Sequence, residues 1–199
     1  IAAPVKITSA NELSFAMPGS DVTLDKTAEV VMVHAGDGVT VKDTNSSGAL
    51  LVGKNDSAYV PTSKTLHITV DAGNGTGVIW ANSADTHWAL TANATATNNT
   101  VALTSVHGDL YLIPAAVLTI TDVKAYDGMD NQATEITPSG SYVATGVSIF
   151  LESNANTDTN VIKNGGTQIP GSTAANGTNK ATATLAMPAT GATITFAAP

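Results

Sequence analysis

Phe15-Ala-Met-Pro-Gly-Ser-Asp-Val-Thr-Leu24, Tyr111-Leu-Ile-Pro-Ala-Ala-Val-Leu-Thr-Ile120 and Leu185-Ala-Met-Pro-Ala-Thr-Gly-Ala-Thr-Ile194 are three versions of one pattern. Each has an aromatic residue or Leu, then Met or Ile two positions on. Proline, three mostly small residues and an apolar-Thr-apolar run follow. Proline lacks the N–H that a sheet ladder needs, so it belongs at a strand end or edge. The small residues suit a turn, and the alternating run turns one face inward. The pattern therefore predicts two short strands joined at the proline, three times over. A repeated closing element of this kind counts modules.

Composition agrees with strands. Thr occurs 30 times in 199 residues, while Glu and Gln are scarce. Val, Ile and Thr fit a pleated surface and lose rotamer freedom in a helix. Hydrophobic residues make up 43% of the chain, enough for a packed core, with only 5% aromatic. Charged residues make up 12%, about half the usual share. The balance is 16 acidic to 8 basic side chains, net −8, and no basic residue is Arg. Nucleic acids and anionic lipids call for cation density and Arg forks, so neither is an expected partner. With no Cys, a disulfide framework, a thiolate zinc site and a Cys nucleophile are excluded. No apolar run reaches the length of a membrane span, so no membrane insertion is expected. No leader precedes Ile1, so an exported chain is expected here as a mature form or an excised fragment.

In chain order, residues 1–27 hold strand-like Val5-Lys-Ile-Thr8 and the first proline segment. They read as the tail of a preceding module or a donor strand. A lone two-stranded ribbon is marginal in water and should pair with something. Residues 28–122 read as a first full module. Its strands are Glu29–His34, Val39–Lys42, Thr65–Val70 and Val78–Trp80, with turns at Ala35-Gly-Asp-Gly38 and Asp71–Gly77. Residues 123–199 repeat the plan in shorter form. Ser57–Thr69 aligns with Gly140–Glu152, and Val78–Asn82 with Val161–Gly165, both at an offset of 83 residues. The expected fold is all-β: two tandem Ig-like β-sandwich modules after an N-terminal hairpin segment, with a join near Thr121-Asp-Val-Lys124.

These segments resemble the Ig-like and internalin B-repeat-like modules of bacterial cell-surface proteins. The matching positions are Phe15, Met17, Pro18, Val22 and Thr23, then Leu185, Met187, Pro188 and Thr193. The middle copy departs, with Ile113 in place of Met and Leu118 before Thr119. The resemblance implies stalks, spacers or adhesive arms outside the cell.

Catalytic motifs are missing. His34, His67, His87 and His107 lack metal-ligand spacing. No Ser sits in a nucleophile elbow, and Ala72–Gly77 lacks the lysine and helix of a P-loop. An enzyme is not expected, and no cofactor is required. Acidic residues Asp122, Asp127, Asp130 and Glu135 around one loop are a candidate calcium site, against the reading of a solvated loop. Trp80 and Trp88 are candidates for stacking on a sugar, against core packing. Lys124 with Asn176 or Asn179 is the one candidate pair for a Lys–Asn cross-link, formed with loss of one ammonia.

Three functions compete. One is a non-catalytic exported surface protein acting as a stalk or adhesive arm. Another is an extracellular filament assembled by strand addition through residues 1–27, with Phe15, Met17, Pro18, Val22 and Leu24 at the interface. The third is a glycan- or calcium-binding module. Expected partners are other surface modules, copies of the chain itself, or a host or cell-wall glycan.

Overall fold

The computed structural model describes residues 29–82, 93–103, 108–128, 133–137 and 139–199, with the backbone of Val5–Ser9 and Glu12–Phe15. The fold is all-β, and no α-helix occurs among the described residues. Strands β1 (Val5–Ser9) and β2 (Glu12–Phe15) form an antiparallel ribbon of their own. Then come β3 (Val30–Ala35), β4 (Val39–Asp43), β5 (Leu50–Val52), β6 (Ser57–Pro61) and β7 (Thr65–Val70). They are followed by β8 (Gly77–Ala81), β9 (Ala94–Ala96), β10 (Asn99–Ala102) and the long β11 (Leu110–Thr121). After it come β12 (Val123–Asp127), β13 (Thr134–Glu135), β14 (Ser141–Ala144) and β15 (Ser148–Ser153). The last are β16 (Val161–Asn164), β17 (Thr167–Gln168), β18 (Thr182–Ala186) and β19 (Ala192–Ala197).

The pairing scheme occurs twice. In the first set, β3 pairs antiparallel with β6, β4 with β5 and β7, β7 with β10, and β8 with β9 and β11. Strand β3 also runs parallel to β11. In the second set, β11 pairs antiparallel with β14, β12 with β13 and β15, β15 with β18, and β16 with β17 and β19. There β11 runs parallel to β19. Thus β11 closes the first set and opens the second. Residues 83 apart take matching places in the two sets, Ile68 with Leu151 and Tyr59 with Tyr142, while their partners lie 84 and 85 apart. Val41 faces Ile68 and Ala125 faces Leu151, while Met32 faces Tyr59 and Val117 faces Tyr142.

One nine-stranded sheet runs through both sets, with a four-stranded sheet, β10-β7-β4-β5 or β13-β12-β15-β18, belonging to each. The architecture is sandwich-like. Alternate residues of facing strands meet in two large apolar clusters. The first includes Val31, Val33, Val41, Leu66, Ile68, Leu110 and Leu112. The second includes Ala116, Leu118, Ala125, Val143, Ile149, Leu151, Ile162, Met187 and Ile194. A small third cluster of Ile79, Ala115 and Ala144 lies where β8, β11 and β14 meet. Along β11, Leu110 and Leu112 belong to the first cluster, Ala115 to the third, and Ala116 and Leu118 to the second.

The proline pattern resolves differently in each copy. Residues 187–191 do form the turn between β18 and β19, with Met187 buried and Gly191 N–H donating to Pro188 O at 3.0 Å. Pro114, by contrast, lies inside the continuous strand β11. Hydrogen bonds explain this correction. On one edge of β11, Leu112 O accepts from Gly36 N–H at 2.8 Å, Pro114 O from Thr145 N–H at 3.0 Å, and Leu118 O from Gly140 N–H at 2.7 Å. On the other edge, Ala115 O accepts from Thr76 N–H at 2.9 Å. A residue's N–H and C=O point to the same edge, so the absent N–H of Pro114 falls on the first. There β3 pairs only as far as Leu112 and β14 begins at Ala115. No ladder partner is lost in that gap. Gly36 permits the exit of β3: a Cβ there would sit 2.8 Å from Leu112 O and 3.1 Å from Pro114 Cδ. The first copy runs from Phe15 into residues 16–24, which lie outside the described residues.

Candidate functional site

Register builds a polar cluster on the outer face of β3 and β11. His34 on β3 stands beside Tyr111 on β11 in the parallel pair, and opposite Ser57 on β6 in the antiparallel pair. Val33 and Ala35 point into the core, so His34 faces outward. Its ring stacks on Tyr111 at a centroid distance of 4.2 Å and an interplanar angle of 8°. Nδ1 lies 2.8 Å from Ser57 Oγ, and Nε2 lies 3.5 Å from Asp109 Oδ2. Asp109 precedes Tyr111 by two residues and so reaches the same face.

Ser, His and Asp in a chain are the residue types of a nucleophile relay. Among the described residues, one neighbour works against that chemistry. Ser57 N–H donates to the Asp56 carboxylate at 2.8 Å, which sets an anion beside the serine. Acyl transfer needs donors aimed at a developing oxyanion there. What the cluster does is tie β3, β6 and β11 together. In the sequence His34 looks isolated, because its partners are 23 and 75 residues away.

A second knot laces the adjoining loops. Asp37 Oδ1 accepts from Asn55 Nδ2 at 3.1 Å and Oδ2 from Asn74 Nδ2 at 2.8 Å. Lys54 Nζ pairs with Asp71 at 2.6 Å. Nearby, Lys64 Nζ and the Thr44 hydroxyl donate to Asp43 and hold its carboxyl below the ordinary value of 3.8.

Three of the four expected calcium residues lie on or beside β12 and β13. Glu135 Oε2 accepts from Lys124 Nζ at 3.0 Å, and this raises the lysine above its ordinary 10.5. Asp127 is buried at the end of β12. Asp122 takes a left-handed conformation with φ 58° in the turn after β11, and its carbonyl accepts from Asn154 N–H at 2.9 Å. Asp130 lies outside the described residues. Among the described residues, no three His, Cys, Asp or Glu side chains group as a metal set. Trp80 is partly buried against the first core cluster, and Trp88 lies outside the described residues. Asn176 Oδ1 accepts from the N–H groups of Thr178 and Asn179, closing a turn. Lys124 is engaged with Glu135 rather than with Asn176 or Asn179. Of the expected interface residues, Phe15 is the last of β2, paired with Val5, and Met17, Pro18, Val22 and Leu24 lie outside the described residues. The ribbon itself lies against β6 through β1.

No protein-family model, curated protein or solved structure matches the chain.

Proposed function

We propose that this chain is a non-catalytic part of an exported surface protein, in which two tandem Ig-like modules act as a stalk or adhesive arm. The observation that carries the reading is the doubled pairing scheme joined through β11. Two copies of one sheet plan on one strand suit a spacer, which needs length and a fixed join more than a cleft. The resemblance of Phe15–Thr23 and Leu185–Thr193 to surface-protein repeats supports the same role. So does the acidic, Cys-free and Arg-free composition, which favours solubility and disfavours nucleic acid. The first module ends and the second begins within β11. The polar cluster around His34 fastens β3, β6 and β11 and sets the Asp56 carboxylate beside Ser57.

The test is accessibility. Antibody against residues 29–199 should label intact cells of the source organism, and externally added protease should remove the label. Labelling only after permeabilisation would overturn the proposal.

A further inference from the structure

We infer that the chain is a tension-bearing element, whose load passes through β3, β11 and β19 in shear. The three strands are parallel neighbours within one sheet. Tension on the chain ends pulls β3 toward its N-terminal end and β19 toward its C-terminal end, with β11 between them. Force then runs along the strands. Every hydrogen bond across a seam must stretch together before one strand slides on the next. In an antiparallel pair pulled from one end, the bonds break in succession instead. Strand directions decide which case applies.

The first seam pairs Val33, His34 and Ala35 with Leu110, Tyr111 and Leu112. It is braced on its outer face, where His34 stacks on Tyr111 and reaches Asp109 at 3.5 Å. Sliding β11 past β3 breaks both contacts. The second seam pairs Leu118, Thr119, Ile120 and Thr121 with Ala192, Thr193, Ile194 and Thr195. Because β11 belongs to both seams, load leaves one cluster and enters the next along a single strand, with no turn in the load path. As a role in the cell this rests on the arm reading; as a property of the fold it rests on strand directions alone, so the two fail separately.

Single-molecule pulling of the full chain tests the inference in two geometries. Handles at the two chain ends load both seams in shear. A handle at Asn160→Cys, unique in a chain without cysteine, and another at the C-terminal end load the β16–β19 pair from one side, since Val161 faces Ala197. The end-to-end geometry should show two rupture events, and the second geometry should open severalfold more easily. Equal forces in both geometries would overturn the inference. His34→Ala should lower one end-to-end event and leave the other unchanged. His34→Phe, which keeps a stacking ring, should restore some of the force. Matching circular dichroism and melting curves would establish that both variants fold. Unchanged rupture forces in His34→Ala would overturn the role assigned to the brace.

Discussion

At the scale of single residues, Gly77 and Asp43 carry the clearest consequences. A Cβ on Gly77 would run into the ring of Tyr142 and the carbonyl of Thr95. The ring can move; the carbonyl, on β9, yields less. Gly77→Ala should therefore cost about 1–3 kcal/mol, the usual range for overpacking. Adding Tyr142→Ala should recover only a fraction of it, as read by urea denaturation of the single and double variants. Full recovery would locate the whole conflict at the ring. Asp43 titrates below its ordinary value because Lys64 and Thr44 donate to it. Its folded-state pKa is depressed, so its contribution is present above the unfolded value of 3.8 and is lost as pH falls through the folded value. Asp43→Asn should flatten stability against pH below about 4, measured by melting temperature, and leave the neutral-to-basic limb unchanged. These residues are only partly legible in the sequence. The turn at Asp71–Gly77 is visible from its glycines, but what Gly77 meets, Tyr142 on β14, is 65 positions away along the chain. The His34 cluster is hidden for the same reason.

At the scale of elements, alternation suffices for the strands that see one core face. Thr65–Val70 is legible to the residue, and it forms β7. The offset of 83 residues implies that β7 and β15 do the same work, and Ile68 and Leu151 sit buried at matching positions. Pro114 misleads because a strand's tolerance for proline depends on which edge lacks a neighbour there, and that follows from the exits of β3 and β14. The ribbon β1–β2 is the element on which stalk and filament differ. It lies against β6 in its own chain. Removing residues 1–27 should uncover the edge of β6 and raise self-association, since unpaired edges recruit strands. Sedimentation over a range of concentrations checks this. A full chain that assembles, and a truncated one that does not, would instead favour the filament.

At the scale of the whole molecule, β11 couples the two clusters. Leu110 and Leu112 serve one, Ala116 and Leu118 the other. Losing either cluster strips neighbours from the strand that the other needs, so at equilibrium, without load, the chain should unfold in one transition, whereas under rapid pulling the two seams are loaded in series and yield one after the other. Trp80 and Trp88 are the only tryptophans, and Trp80 packs on the first cluster. Leu151→Ala, in the second cluster, should cost about 2–5 kcal/mol, as large-to-small core changes do. It should also shift the unfolding midpoint seen by tryptophan fluorescence. An unshifted fluorescence midpoint, with a lower one by circular dichroism, would mean that the clusters unfold independently.

The twelve residues of β11 also act as a ruler. Side chains along a strand alternate with period two, so lengthening it by one residue between Ala115 and Ala116 would turn one cluster's inward faces outward. Lengthening it by two would keep both faces and only move the clusters apart, by roughly 7 Å. Over generations, then, changes of length in β11 should survive only in even steps, while the turns around it are free to lengthen one residue at a time.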